Sequence, residues 1–439
     1  MKIAWLILWA APLGLAQGPL ALSMKRAVEM AVSPEGNTRI QLTGEALKQA
    51  QSKSAQSRAA LLPDVEAAFS DQSRTVNLAA QGLTDIKVPI PGFQFPDLVG
   101  PFSTVDARVS GTQNIFDFSA WRMFQASKVG ISAAKSDLDT AGEQVAGQVA
   151  RAYLAALKAD TDVEMAQANV TLSEAVLKQA ENQKAAGTGT GIEITRAKVQ
   201  LANDRQRLLV ARNAGRTGHL QLLRAIGLRL DTEIELTDQM QYTPVDAVTL
   251  EQARAQALEQ RPELKAQQER ETTARLSASA TKLERLPTLA AFGDYGANGT
   301  GLDHSLPTRT VGIQVRVPLF DGGRRDARRE ESASQYRAEK VRTNDLREQI
   351  ELDVRLALDE LKSADDEVKV AKDGLSLSED ELTQARRRYD AGVAIGVEVT
   401  DAQTRLERAR DNQTEALYLY NLARLDLAQA MGKIRSLVQ

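Results

Sequence analysis

From Val354 onward, apolar or small residues step along the chain by threes and fours: Val354, Ala357, Leu361, Ala364, Val368, Ala371, Leu375, Ser378, Leu382, Ala385 and Tyr389. Heptad spacing sustained in this way is the signature of a coiled-coil helix. Large and small residues alternate along the seam, which lets a neighbouring helix approach closely. The stretch from Asp321 to Tyr389 contains no proline, and its only glycines are Gly322, Gly323 and Gly374. A continuous helix over about 322–390 would be roughly 100 Å long at 1.5 Å per residue, so the pattern predicts an elongated protein. A matching helix is predicted over about 119–186. Both end at glycine-containing turns, Ala186 to Gly191 and Asp390 to Gly396, where glycine accepts a positive φ without steric cost. Return helices follow at about 192–226 and 397–431. Shorter helices are predicted at about 43–62 and 249–286, the latter broken at Arg261-Pro262.

Between the helices the period changes to two. Val311, Ile313, Val315, Val317 and Leu319 alternate with Gly312, Gln314, Arg316 and Pro318. This predicts a strand over about 310–320, of the length that crosses a membrane in a β-barrel. Val105, Ala107, Val109 and Gly111 mark a strand at about 104–116. Val65, Ala67 and Phe69 mark one at about 64–77, and Leu289, Ala291, Gly293 and Tyr295 one at about 288–297.

The same plan occurs twice. Gly187, Gly191, Glu193, Ala197 and Leu201 match Gly392, Gly396, Glu398, Ala402 and Leu406 at one constant offset. Upstream, Val163, Val170, Ser173, Leu177 and Ala180 fall on Val368, Leu375, Ser378, Leu382 and Ala385. Leu62-Pro63 echoes Leu286-Pro287, and Ile115-Phe116-Asp117 echoes Leu319-Phe320-Asp321. Two copies make a tandem duplication, read here as residues 17–245 and 246–439.

Composition narrows the setting. Lys2, the apolar run Ile3 to Leu15 and the small residues of Gly14-Leu15-Ala16 read as a signal peptide over 1–16. No later stretch is apolar enough for a transmembrane helix, so membrane entry would have to use strands. With no cysteine in the chain, disulfides, thiol catalysis and cysteine-bound zinc are excluded. A net charge of −3 offers no basic surface for nucleic acid. Only 4% of residues are aromatic, low for a single compact core. His219 lies in a predicted helix and His304 in a loop, neither with ligands at metal-binding spacing. No nucleotide, phosphate or nucleophile motif is present, so neither an enzyme nor a cofactor is expected.

Four strands cannot close a barrel, for which about eight is the practical minimum. An open sheet edge in lipid leaves backbone groups unpaired at several kcal/mol each. If these strands cross a membrane, several chains must share one barrel, and the strand count alone permits two, three or four.

The duplicated plan, Leu-Pro before each first strand, Ile/Leu-Phe-Asp after each second strand and Tyr389-Asp390-Ala391-Gly392 before Val397-Glu398-Val399-Thr400-Asp401-Ala402 together resemble the TolC-like outer-membrane efflux proteins. The resemblance covers nearly all of the chain beyond the signal segment. It implies a mainly α fold with a membrane β-barrel portion, in which a homotrimer shares a β-barrel above an α-helical barrel. It also implies an address in the outer membrane extending into the periplasm, and two partners, a periplasmic adaptor and an inner-membrane pump.

By the same resemblance, Glu398 and Asp401 fall on acidic positions that line the closed periplasmic entrance, with Glu193 at the corresponding first-repeat position. Tyr389 falls on a further gate position. A three-residue separation puts Glu398 and Asp401 on one helix face. Rings of such carboxylates attract cations, and acidic residues also favour helix starts as caps; both readings stand. Where some relatives carry a tethering arginine this chain has Ala394, so the gate is expected to be held differently or less firmly. Gly187, Gly191, Gly392 and Gly396 mark the turns an adaptor would reach. Val311, Ile313, Val315 and Val317 are the expected membrane-facing residues. Phe116, Trp121 and Phe320, at strand-to-helix junctions, form either an interfacial belt or packing at the barrel's neck. A periplasmic coiled-coil adaptor or scaffold without a pore is the alternative, but an adaptor has one helical hairpin where this chain has two.

Overall fold

The computed structural model describes residues 19–84, 89–93, 95–245 and 248–438. The expected signal peptide, 1–16, lies outside the described residues. The elements in chain order are β1 (Leu20–Leu22), α1 (Met24–Val32), α2 (Thr38–Ala59), β2 (Asp64–Asn77), β3 (Leu98–Phe116), α3 (Phe118–Ala185), α4 (Gly191–Ile226) and β4 (Ile234–Leu236). They continue with α5 (Leu250–Gln260), α6 (Pro262–Leu283), β5 (Thr288–Gly299), β6 (Ser305–Arg316), α7 (Arg324–Asp390), α8 (Gly396–Ala430) and α9 (Ile434–Val438). Contacts divide the chain into two units. The first comprises 1–45, 136–264 and 345–439, and the second 46–135 and 265–344.

The second unit is built on an antiparallel sheet of order β2-β3-β5-β6. Its register sorts side chains by chemistry. Val65, Ala67 and Phe69 share a face with Val105, Ala107 and Val109, then with Leu289, Ala291 and Tyr295, then with Val311, Ile313 and Val315. The opposite face carries Glu66, Ser70, Gln72, Asp106, Arg108, Ser110, Asp294, Thr308, Thr310 and Gln314. The apolar face is open: Val311 is 86% exposed and Ile313 70%. Small polar residues join the helices of this unit. Ser127 Oγ donates to Ser54 Oγ at 3.1 Å, and the Thr281 and Ser332 hydroxyls lie 2.9 Å apart.

Several element limits differ from those expected. The strand placed at 104–116 begins at Leu98, because Leu98 and Val99 pair with Asn77 and Val76 beyond a register shift. The strand placed at 310–320 runs from Ser305 to Arg316. Pro318 has no N–H to donate, so the ladder stops before it and Val317 lies past the strand's end. The helix placed at 43–62 starts at Thr38. The helix placed at 249–286 is two helices: the ring of Pro262 holds Arg261 in an extended conformation (φ −67°, ψ 117°), and Pro262 then opens α6.

In the first unit, β1 and β4 pair in parallel. Strands of three residues carry no readable period, and neither they nor α1 and α9 were expected from the sequence. Tyr153, fully buried on α3, organises this region. Its hydroxyl donates to Leu22 O at 2.9 Å and accepts from the Asp238 backbone N–H at 3.3 Å. Burial pushes its pKa up to about 12. Around it pack Leu22, Ala27, Val149, Leu222, Ile226 and Ile434. A second core gathers Ala253, Ala257, Leu264, Ile350 and Val354. Beside it Arg261, only 10% exposed at its side chain, pairs with Glu263 at 2.7 Å and Asp353 at 2.9 Å.

Tyr153→Phe keeps the ring but leaves the Asp238 N–H without its partner, while the Leu22 carbonyl keeps only the Thr237 N–H at 3.1 Å. The loss expected is about 1–3 kcal/mol, the cost of an unsatisfied buried polar group. Comparing the unfolding midpoints of the two proteins by circular dichroism would measure it, and equal midpoints would refute it.

Candidate functional site

The two glycine turns of the first unit have the same backbone construction. After α3, Gly187 adopts φ 77°; its N–H donates to Lys184 O and that of Thr188 to Gln183 O, both at 3.0 Å. After α7, Gly392 adopts φ 72°; its N–H donates to Tyr389 O and that of Val393 to Arg388 O, again at 3.0 Å. This is the Schellman arrangement, and it requires glycine at 187 and 392. Gly191 and Gly396 are instead the first residues of α4 and α8. At Gly396 a Cβ would make ordinary contacts, 3.6 Å from Glu193 Oε1 and 3.7 Å from the Tyr389 ring, which places these three residues side by side.

The acidic residues beyond the two turns do different work. Glu193 turns back to accept from the Thr190 backbone N–H at 2.9 Å, closing a capping box at the start of α4. In the second repeat the residue at the Thr190 position is Ile395, which has no side-chain oxygen and makes no such cap. Glu398 instead pairs with Arg388 Nε at 3.2 Å. A cation therefore does stand at this acidic position, supplied by α7, although Ala394 supplies none from the turn. Asp401 is exposed, one turn along α8.

Contacts also join the two turns. Gln179 Nε2 donates to Asp390 Oδ1 at 2.8 Å, and the Tyr389 hydroxyl donates to Gln183 Oε1. Burial, and then the nearby Glu193 carboxylate, raise the pKa of Tyr389. Tyr389, Glu193 and Gly396 thus come together, while Asp401 lies apart from that group. The remaining expected site residues belong to the second unit. Val311, Ile313 and Val315 lie on the open apolar face of β6. Phe116 joins that face through a bulge that pairs it with Leu289. Trp121 is exposed on α3, and Phe320 is 90% exposed between β6 and α7.

Further along the helices lies a polar clasp that the sequence reading missed. Asp204, fully buried on α4, accepts from Ser173 Oγ at 2.5 Å and from Gln200 Nε2 at 3.1 Å. Arg207 reaches across to Glu407 of α8 at 2.6 Å. Burial, and then Asp204, raise the pKa of Glu407 against the opposing pull of Arg207. Burial, and then Asp162, do the same to Asp411. Next to the clasp is a cavity of about 460 Å³ lined by Lys158, Asp162, Asn169, Asp411 and Glu415 among others. One signal was available: Asp204 sits three residues after Leu201 and four before Leu208, a charged residue on an apolar seam. Nearby, His219 Nε2 of α4 lies 2.9 Å from Asp160 Oδ2 of α3, and that hydrogen bond raises the histidine's pKa.

A profile of the outer membrane efflux protein family matches residues 36–228 and 253–433. The chain belongs to that family. It is similar to the alkaline protease secretion protein AprF of Pseudomonas aeruginosa, at 22% identity over 316 residues; the match covers 70% of this chain and 65% of that relative, just under two thirds. It is also similar to the outer membrane protein TolC of Vibrio cholerae, at 22% identity over 342 residues, 75% of this chain and 77% of the relative. In fold it resembles the Campylobacter jejuni CmeC outer membrane channel, with a TM-score of 0.80 and 16% identity over 93% of this chain and 85% of that one. An efflux protein of this family is an outer-membrane channel that extends into the periplasm, and the α-helical and β-sheet parts seen here have that fold.

The His219–Asp160 pair has a definite pH sign. A histidine whose folded pKa is raised stabilises the fold fully below its unfolded value of about 6.5, and the effect disappears as pH rises through the folded value. The midpoint difference between wild type and His219→Gln should therefore be larger at a pH of about 6 than in alkaline solution, and should shrink steadily as pH rises. A difference that does not change with pH would exclude this role.

Proposed function

We propose that the chain is the exit duct of a tripartite efflux or secretion system, a homotrimer that a periplasmic adaptor and an inner-membrane pump load with cargo. Transport through it is passive, and it acts as a conduit with no catalytic step. The observation that carries this reading is the sheet: four strands, one open apolar face, one polar face, and outer edges of β2 and β6 without a strand partner among the described residues. Such a sheet suits a barrel shared among copies, with the polar face toward the lumen. Exposed Val199 and Leu209 on α4, and Val370 and Leu377 on α7, supply apolar surface for neighbouring copies.

In this reading residues 1–16 direct export and are removed. Residues 17–245 and 246–439 are the two structural repeats, and the two stretches matched by the family profile support that division. Val311, Ile313 and Val315 face lipid, with Val317 at the margin. Phe116, Trp121 and Phe320 form the interfacial belt, which their exposure favours over internal packing. The turns at Gly187, Gly191, Gly392 and Gly396 meet the adaptor. Glu193, Tyr389, Glu398 and Asp401 form the periplasmic gate. Because Arg388 offsets Glu398, Asp401 carries the larger share of uncompensated charge.

Two experiments test these assignments. A lysine at Ile313 should cost about 2–4 kcal/mol near mid-membrane and impair assembly in the outer membrane, whereas a lysine at Gln314 should change conductance and leave assembly intact. Equal tolerance at the two positions, read from membrane fractions, would mean that β6 does not cross the bilayer. At the gate, Asp401→Ala should weaken block by periplasmic magnesium more than Glu398→Ala does, and Arg388→Ala should strengthen it. Single-channel recordings read all three, and unchanged block in every variant would move the gate elsewhere.

A further inference from the structure

We propose that Arg108, Asp106 and Asp294 form a charge lock on the wall of the barrel lumen that sets the pore's ion preference independently of the periplasmic gate. The proposal rests on the reading that the polar face of the sheet lines a pore.

Register places Ala68, Arg108, Gly296 and Thr308 in one row across the four strands. Gly296 leaves that row empty beside Arg108. A Cβ there would lie 2.8 Å from Arg108 Cα and 2.4 Å from Ala107 O, so no side chain fits. The Arg108 side chain crosses β5 through this gap. Its guanidinium donates to Asp294 on β5 and, at 3.4 Å, to Thr308 Oγ1 on β6. Nε and Nη2 donate to Asp106 at 3.3 and 3.2 Å. A planar fork with several N–H groups satisfies two carboxylates and a hydroxyl together, which a lysine ammonium on a flexible stem matches poorly. The same face repeats the device: the Phe292 ring lies over Gly312, where a Cβ would be 2.7 Å from its Cζ.

Two consequences follow for a pore. Arg108 and Phe292, bulky mid-strand side chains of this face, lie along the wall and leave the aperture open. Two carboxylates held by one guanidinium also leave a net negative charge on each chain at this level. Fixed charge on a low-dielectric wall concentrates counter-ions, so the barrel itself should favour cationic over anionic cargo. Release of Arg108 from its carboxylates would leave both of them bare and place a long cation in the passage.

The test uses full-length protein in planar bilayers under a potassium chloride gradient, with reversal potential as the readout. Asp106→Asn combined with Asp294→Asn should lower the cation-to-anion permeability ratio by roughly twofold or more, and Arg108→Ala should raise it. A cluster that only braces the sheet would not move the ratio in opposite directions. Thr308→Lys gives up one hydroxyl partner but keeps all three charges of the lock and adds a cation to its row, so it should lower the ratio even if the other variants assemble poorly. A ratio that stays at the wild-type value in all three variants would overturn the charge lock. Absence of any wild-type conductance would instead overturn the reading of the chain as a pore.

Discussion

Backbone hydrogen bonding in lipid is the constraint on which the rest of this structure depends. Every N–H and C=O in the hydrocarbon layer needs a partner, and an open sheet cannot supply one at its edges. This chain provides four strands and leaves the outer edges of β2 and β6 unpaired among the described residues. A membrane barrel made from such a sheet closes only when further copies contribute strands. The two-sided chemistry of the sheet follows from the same demand. Residues two apart share a face, so the alternation that gives one face of the sheet its apolar side chains also gives the other its acids and hydroxyls.

In the first unit the helices are positioned by polar pairs as much as by apolar seams. Arg261 is held between Glu263 and Asp353, Asp204 between Ser173 and Gln200, and Glu407 by Arg207. A buried charge stripped of its partner is strongly destabilising, so each pair penalises a slip of one helix along another. A seam of alternating large and small residues tolerates such slips better, since one heptad resembles the next. The pairs therefore select a register that the seams leave open.

Duplication sets the backbone and leaves the chemistry free to diverge. Both hairpin turns end in the same glycine-dependent arrangement. Yet Thr190 caps α4 with help from Glu193, while Ile395 cannot cap α8, and Glu398 turns to Arg388. Arg388 itself occupies the position of Gln183, whose amide oxygen accepts from the Tyr389 hydroxyl. Residues that match in sequence thus meet different partners, and Glu398 is placed differently from its counterpart Glu193.

Features that arise within a few residues were legible in the sequence. The heptad seam of α7, the alternation through Val311 to Val315, the break at Arg261-Pro262 and the positive-φ glycines at 187 and 392 each follow from local sterics or periodicity. The fold class and the efflux family followed from their order. The extension of β3 back to Leu98, the parallel pairing of β1 with β4 and the burial of Tyr153 depended on partners far along the chain. So did the choice of Arg388 for Glu398, the Asp204–Glu407 clasp and the passage of Arg108 over Gly296. A sequence states which residues can make a hydrogen bond or an ion pair; only tertiary packing brings one donor to one acceptor and excludes the others.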